Sequence, residues 1–289
     1  MTSVPSNSTR ISRRFSELRE HGELGIVAFI TAGDPSLDAT LQFVLSLADA
    51  GADIIELGVP FSDPLADGPT IQRASERALK SGTTLRGVID LVRRIRQSSQ
   101  VPLVLFSYYN PIFQMGLENF ARAAAEAGAD GVLVTDLTPE ESEEYRRILH
   151  SHQLDTIFLA APTSDDARLH KIAAASSGFL YLISRTGVTG AKDSLPEDLP
   201  SLIRRVRQAS QLPIAVGFGI SQAGHVSVLG GLADAAVVGS ALVSEIEKAQ
   251  APGLPQAEVS TAAAGALHTK IQGLKLAARR GLSRREAAQ

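Results

Sequence analysis

The chain has 289 residues, of which 44% are hydrophobic and 20% charged, the balance of an ordinary globular protein. Its 28 Lys and Arg against 31 Asp and Glu leave a net charge of −3, which argues against nucleic-acid or polybasic membrane binding. The absence of Cys excludes disulfides and thiolate chemistry, and no apolar stretch approaches the ~20 residues of a membrane-spanning helix.

The first predicted element is a helix over residues 7–21, in which Ile11, Phe15 and Leu18 share one face. The polar segment that contains it lacks the apolar core of a secretory signal, so a cytoplasmic protein is expected. Because this helix precedes the repeating pattern described next, we expect it to be an extra element that closes one end of the fold.

Eight short runs that are apolar at nearly every position follow, about one strand–helix unit apart. Such runs are typical of strands that are buried on both faces of a parallel sheet. They lie at residues 25–31, 54–58, 101–106, 131–135, 156–159, 179–183, 214–217 and 235–239.

A repeated junction separates helices from strands. Ala-Gly-Ala-Asp occurs at 50–53 and 127–130, and a similar junction occurs at 231–234, where the Gly allows a left-handed helix end. The repeat predicts a single (β/α)8 barrel domain over 1–289, with an open doubly wound sheet as the alternative. A C-terminal Ala-rich helix and a basic tail occupy about 256–289, and we interpret the tail as a solvated helix end.

Glu56 is the most unusual residue of the predicted strands, because it stands in an otherwise apolar run over residues 54–58. Residues 54, 56 and 58 share one face, and both faces of a barrel strand are dry. A carboxyl group there is costly unless it is partnered or protonated. A structural ion pair is the alternative, but no Arg or Lys occurs in the eight runs, so a catalytic role is favoured.

A second acid, Asp67, follows in a loop rich in Pro and Gly at residues 60–69. The loop leaves the same strand end as Glu56, so two carboxyl groups of one β/α unit can take separate acid–base roles. Either Asp63 or Asp67 could instead cap the helix that starts near Thr70.

Glycine-rich segments follow the last three predicted strands, at residues 184–190, 217–221 and 239–240. Glycines let backbone N–H groups approach an anion, and many barrels bind phosphate with the loops after strands seven and eight. No nucleotide-binding Gly pattern is present, and the six His residues show no metal-binding spacing, so no metal is expected.

The segment from Glu56 to Pro69 strongly resembles the signature of the tryptophan synthase alpha subunit family. The resemblance extends over residues 12–275, through 29–35, 108–111, 184–190, 217–221 and 239–241. It implies a barrel without metal or cofactor that cleaves indole-3-glycerol phosphate to indole and glyceraldehyde 3-phosphate. It also implies an alpha2beta2 heterotetramer, in which the beta subunit holds pyridoxal phosphate.

The resemblance also implies roles for individual residues. Glu56 matches the family's general acid–base residue, and Asp67 matches the acid that holds the indole N–H. Thr189 matches a loop residue that closes over the site. Indole-pocket positions are matched by Phe29, Leu133, Tyr181 and Phe218, with Tyr108 beside them, and phosphate positions by Gly190, Gly219, Gly239 and Ser240. Loops on the same rim are expected to meet the beta subunit through Asp63, Pro64, Asn110, Pro111 and Asp136.

Two other functions stay open at this level. One is another phosphate-binding barrel enzyme, such as an isomerase of a phosphorylated sugar or a freestanding indole-releasing lyase. The other is a regulatory subunit that binds indole phosphates without catalysis.

Overall fold

Within the part of the chain that the structure describes, nine parallel strands form one sheet in the order β5-β4-β3-β2-β1-β9-β8-β7-β6. The computed structural model describes residues 9–184, 195–217, 219–250, 253 and 255–286, with side chains up to Arg279. The strands are β1 Gly25–Thr31, β2 Ile54–Gly58, β3 Leu103–Ser107, β4 Gly131–Val134, β5 Asp155–Ile157, β6 Leu159–Ala160, β7 Leu180–Ile183, β8 Ile214–Gly217 and β9 Ala235–Val238.

Helices occupy most of the segments between the strands. They are α1 Arg10–Glu20, α2 Leu37–Asp49, α3 Pro69–Lys80, α4 Leu85–Arg96, α5 Tyr109–Met115, α6 Leu117–Ala127, α7 Glu143–Ser151, α8 Asp166–Ala175, α9 Leu199–Ala209, α10 Ala223–Leu229, α11 Ser240–Ala249 and α12 Gln256–Glu286, with a 3-10 helix at Pro139–Glu141. None of the helices within the described ranges is long and apolar enough to cross a membrane.

The sheet closes into a barrel through its fifth predicted strand, which is split into β5 and β6 at Phe158. β5 pairs with β4 and β6 pairs with β7, so the two ends of the strand order meet across a single residue. β1 pairs with β9 in parallel, which completes the circle. The predicted (β/α)8 barrel is therefore confirmed, and the open-sheet alternative is wrong.

Alternate residues of each strand face the barrel interior and the helix layer. In β1, Val27 belongs to the inner cluster, whereas Ile26 and Ala28 belong to the outer core beneath the helices. In β2, Ile54 is inside, whereas Ile55 and Leu57 are outside. This alternation points Glu56 into the barrel.

The predicted extra helix is α1, which covers the end of the barrel where the strands begin. Ile11, Phe15 and Leu18 are buried in the inner cluster, and the ring of Phe15 lies 5.7 Å from that of Phe179. The first residues of the predicted range, 7 and 8, lie outside the described residues.

The junction aspartates tie neighbouring units of the barrel together at this end. Each accepts a hydrogen bond from a backbone N–H at or next to the start of the preceding strand and pairs with an Arg side chain. The backbone donors are Ile26 to Asp53 at 2.6 Å, Leu103 to Asp130 at 2.8 Å and Ile214 to Asp234 at 2.7 Å, and the ion-pair partners are Arg14, Arg96 and Arg207, respectively.

The C-terminal helix is not the solvated end that was expected from the sequence. α12 continues to Glu286 and packs against α2, α10 and α11. Lys275 is only 8% exposed, and its Nζ lies 2.6 Å from a carboxyl oxygen of Asp53. This Lys is therefore part of a buried ion pair, because the helix lies against the barrel rather than projecting from it.

Candidate active site

A cavity of about 240 Å³ opens at the carboxyl ends of the strands, where barrel enzymes carry their active sites. It is mostly apolar, with one carboxyl group in its wall and glycines on one side. Its lining residues are Phe29, Ala66, Asp67, Ile71, Phe106, Thr135, Leu159, Tyr181, Ile183, Gly219, Ile220, Val237, Gly239 and Ser240.

A larger cleft of about 710 Å³ lies at the opposite end of the barrel, between α1, α2 and α12. Its buried charges already pair with one another, since Asp53 binds both Arg14 and Lys275. The smaller cavity is the better candidate because it adjoins carboxyl groups with perturbed pKa values.

Glu56 lies in the layer directly beneath this cavity. It is fully buried, and neither of its carboxyl oxygens has a hydrogen-bond partner among the described residues. It is the register partner of Phe29, which lines the cavity, although Glu56 itself does not. Burial raises the pKa of Glu56 to about 8, so the carboxyl group is mainly protonated at neutral pH. Among the residues that the structure describes, no base pairs with this carboxyl group, so the ion-pair alternative finds no support there.

Asp67 lies in the wall of the cavity and is 7% exposed. The Tyr108 hydroxyl donates to its Oδ2 at 3.1 Å, and Gln72 Nε2 donates to its backbone oxygen at 2.8 Å. Burial raises the pKa of Asp67 to about 6, and the hydrogen bond from Tyr108 opposes this rise. Asp67 is therefore mainly ionised at neutral pH.

The helix-capping alternative for the two loop acids is not supported. α3 begins after Gly68, and no side chain caps its first turn by a hydrogen bond. Asp63 instead accepts a hydrogen bond from the neighbouring Ser62 hydroxyl at 2.6 Å.

The two carboxyl groups face a common neighbour, Tyr181, on the inside of β7. Tyr181 lines the cavity, and its pKa is raised well above 10, first by burial and then by the charges of Glu56 and Asp67. The barrel therefore brings together two acids that are eleven residues apart in the sequence, and burial separates their pKa values.

The predicted indole-pocket residues occupy different positions. Phe29 and Tyr181 line the cavity, and Phe29 packs edge-to-face against Phe106 at 5.1 Å. Leu133 is buried in the inner cluster and does not line the cavity, and Tyr108 reaches the site through Asp67. Phe218 lies outside the described residues.

Three predicted phosphate-binding residues lie together on one side of the cavity, namely Gly219, Gly239 and Ser240. Ser240 is the first residue of α11, so this side of the cavity meets the positive end of a ten-residue helix. Gly219 has φ of +93°, a conformation that favours glycine. Thr189 and Gly190, for which the resemblance implies roles in the closing loop and the phosphate site, lie outside the described residues.

Sequence reasoning missed several residues of the cavity wall, including Thr135, Leu159 and Ile183. Each lies two positions beyond a residue of the inner cluster, namely Leu133, Ile157 and Tyr181. The two-residue period of strands, continued to the strand ends, was the signal that could have found them.

The five predicted partner-interface residues follow β2, β3 and β4 on the rim of the cavity. Asp63, Asn110 and Asp136 are exposed, whereas Pro64 and Pro111 are half-buried. Two apolar side chains of these segments are also exposed: Leu65, which belongs to the expected docking loop 63–65, is 88% exposed, and Phe113, which was missed, is 65% exposed. These two side chains give the rim an apolar surface.

Comparisons with known proteins agree with this geometry. The family model described as tryptophan synthase alpha chain matches residues 15–273. The chain is 53% identical over 240 residues to a tryptophan synthase alpha chain from Solibacter usitatus, covering 83% of this chain and 90% of the relative. It is 54% identical over 242 residues to that of Citrifermentans bemidjiense, covering 84% and 91%.

Solved structures show the same similarity. Tryptophan synthase subunit alpha from Legionella pneumophila superposes with a TM-score of 0.82 at 35% identity, covering 94% of this chain and 99% of that one. A chain of Mycobacterium tuberculosis tryptophan synthase superposes with a TM-score of 0.84 at 33% identity, with the same coverage of both chains.

Proposed function

This chain belongs to the tryptophan synthase alpha chain family, and on that premise we propose that Glu56 and Asp67 share the acid–base chemistry of its reaction. The chain is the lyase subunit of tryptophan biosynthesis that cleaves indole-3-glycerol phosphate to indole and glyceraldehyde 3-phosphate. The observation that carries the residue assignment is the placement of two buried carboxyl groups beside Tyr181, with Asp67 in the wall of the apolar cavity and Glu56 in the layer beneath it.

The reaction is a retro-aldol cleavage that needs one proton to be delivered and one to be removed. Protonated Glu56 gives a proton to C3 of the indole, which leaves a positive charge on the ring nitrogen. The resulting carboxylate then takes the proton of the glycerol hydroxyl group, the carbonyl forms, and the C–C bond electrons return to the indole ring. Glu56 ends protonated, so a single carboxyl group with a pKa near neutrality serves both steps.

Asp67 stabilises the positive charge at the indole N–H. An ionised carboxylate in a water-poor wall does this more strongly than water would. The required pair, a protonated Glu56 and an ionised Asp67, exists between about pH 6 and about pH 8. The proposal also requires the Glu56 carboxyl to extend from its buried layer into the cavity when substrate binds.

The residues that bind the indole ring and the phosphate are assigned by their shape and charge. We propose that Phe29 and Tyr181 hold the indole ring, and that Gly219, Gly239 and Ser240 hold the phosphate at the start of α11. Phosphate binding far from the breaking bond orients the substrate for proton transfer. The roles expected of Leu133, Tyr108, Phe218, Thr189 and Gly190 stay predictions.

The family implies a beta subunit as partner. We propose an alpha2beta2 assembly in which the beta subunit holds pyridoxal phosphate, while this chain works as one domain over 1–289 without a cofactor. The exposed Leu65 and Phe113 support a docking surface on the cavity rim, together with Asp63, Pro64, Asn110, Pro111 and Asp136. A cytoplasmic location stays a prediction.

The acid–base assignment is tested with Glu56→Gln and Asp67→Asn in steady-state cleavage of indole-3-glycerol phosphate. Each change removes ionisation and keeps the side-chain volume, so we expect turnover to fall by about 10²–10⁴-fold. Glu258→Gln makes the same change at an exposed position on α12 and is expected to leave turnover unchanged. Turnover of Glu56→Gln within about tenfold of wild type would remove Glu56 from its role.

Glu56→Gln also has a readout that does not depend on activity. Between pH 4.5 and about 8, the folded chain keeps a proton on Glu56 that the unfolded chain has lost. The free energy of unfolding of the wild type therefore falls as the pH rises through this window. Because Gln cannot ionise, the melting temperature of the variant relative to wild type should increase from about pH 5 to about pH 8.

A further inference from the structure

Helices α3 and α11 form one wall of the cavity, and each begins at one end of the proposed substrate. α3 begins at Pro69, directly after the loop of Asp67, and α11 begins at Ser240 in the phosphate site. Ile71, Ala74 and Val243 of the two helices form a buried cluster with Phe29. The distance between Asp67 and the phosphate site therefore depends on how the two helices are held together.

A hydrogen-bonded ion network holds these helices on the side away from the cavity. Arg77 of α3 donates to both carboxyl oxygens of Asp34, at 2.8 and 2.7 Å, and its third nitrogen lies 2.9 Å from Glu247 of α11. Arg73 donates to both oxygens of Glu247, at 2.7 and 2.8 Å. Gln250 of α11 adds a bond to Asp34 at 2.9 Å.

The network fixes the relative orientation of the elements that it joins and also balances their charges. The Asp34 side chain is fully buried in the loop after β1, and Arg77 is 24% exposed. A bidentate Arg–carboxylate pair fixes the angle between its two elements, which a single contact does not. Hydrogen bonding from Arg73 is the main reason why the pKa of Glu247 is lowered to about 2, so the Glu247 carboxylate stays ionised at neutral pH.

We propose that Arg77 is a positioning residue that joins Asp34 to Glu247 and thereby sets the span between Asp67 and the phosphate site. The inference deepens the proposed function and rests on it, because it takes Asp67 and Ser240 as the two ends of the substrate site. A ligand that reaches both ends gains affinity from the linkage only if the two subsites are held at a matching distance.

Calorimetry with three ligands tests this role in the variant Arg77→Met. Indole and glycerol 3-phosphate each fill one end of the site, and indole-3-propanol phosphate fills both. We expect the affinity for the spanning ligand to fall by about tenfold or more, and the affinity for each fragment to change by less than about twofold. A general loss of stability would not produce this difference between ligands.

Two further variants keep the test decisive. Glu247→Ala removes the bonds of Arg73 and Arg77 to α11 and leaves Asp34 paired with Arg77 and Gln250, so it should show the same pattern even if Arg77→Met fails to fold. Arg96→Met is the control, because Arg96 makes a comparably buried pair with Asp130 at the opposite end of the barrel, at 2.6 Å. It should lower the melting temperature and leave the affinities of all three ligands unchanged.

The outcomes distinguish the positioning role of Arg77 from the proposed substrate site. Equal weakening of all three ligands in Arg77→Met and Glu247→Ala, or no weakening at all, overturns the positioning role. If wild type binds the spanning ligand no better than the fragments, the proposed substrate site itself is wrong, and the inference fails with it.

Discussion

At the residue scale, the hydroxyl of Tyr108 opposes the rise that burial causes in the pKa of Asp67. It donates to the carboxylate at 3.1 Å and also accepts from the Ala66 N–H at 3.0 Å. Because this hydrogen bond lowers the pKa of Asp67, Tyr108→Phe should raise that pKa. The acidic limb of kcat/KM against pH should then move upward by about half a unit or more.

The control for this change is Tyr145→Phe. Tyr145 is also buried, but its hydroxyl donates to the backbone oxygen of Val132 in the outer core. The pH profile of kcat/KM for Tyr145→Phe should therefore match that of wild type. An acidic limb that stays in place in Tyr108→Phe would show that the bond does not tune Asp67.

Single residues were predictable where the reason was local. Strand alternation and the lack of a basic residue in the predicted strands indicated a dry position for Glu56; its side chain is fully buried and has no hydrogen-bond partner among the described residues. The Tyr108–Asp67 bond was not predictable, because the two residues are 41 positions apart and meet only through the register of β2 and β3. Leu133 fell below the cavity for a related reason, since the tilt of the strands decides which inward residue reaches the rim.

At the element scale, α1 completes the interior core at the end of the barrel remote from the cavity. Phe15 is 3% exposed and packs against Phe179 among inward residues of the strands. Phe15→Ala should lower the free energy of unfolding by about 3–5 kcal/mol, because it removes buried apolar surface and leaves a cavity. Urea unfolding measures this loss, and KM for substrate should not change.

The matched control on this helix is Arg13→Ala, whose side chain is exposed. Its unfolding midpoint should stay close to that of wild type. A Phe15→Ala variant as stable as wild type would mean that α1 does not close the core in solution.

The bounds of several strands agree with those predicted from the sequence, and one difference has a cause in the backbone. The strands at 25–31, 54–58 and 214–217 have the predicted bounds. β3 begins at Leu103, two residues later than predicted, just after Pro102, which has no N–H for strand pairing. The break of the fifth strand at Phe158 carried no sequence signal, because it arises from the change of pairing partner between β4 and β7.

At the scale of the whole molecule, the rim of the cavity is expected to dock the beta subunit. Leu65→Asp or Phe113→Asp places a charge where an apolar contact is proposed, so association should weaken by about tenfold or more. Sedimentation with the beta subunit measures association, and calorimetry with indole-3-propanol phosphate checks that the isolated chain still binds ligand.

Leu276→Asp is the matched control, since Leu276 is 51% exposed on α12 at the opposite end of the barrel. It should leave association unchanged. If Leu65→Asp and Phe113→Asp associate as wild type does, the docking surface lies elsewhere. The overall barrel was predictable from the repeated junctions, and the resemblance placed the docking surface on the rim loops. The exposure of Phe113 was not predictable, because in the sequence it is one more apolar residue of a short helix beside the buried Ile112.

The seam between β1 and β9 has a consequence for how the chain is made. Every other strand pair joins neighbours in the sequence, whereas this one sets Gly25 beside Ala235. A ribosome adding roughly 5–20 residues per second releases β1 many seconds before its second neighbour exists. During that interval the growing sheet has an unpaired edge at β1, which is open to other chains. The emergence of β9 from the ribosome is therefore the event that ends the nascent chain's exposure to aggregation.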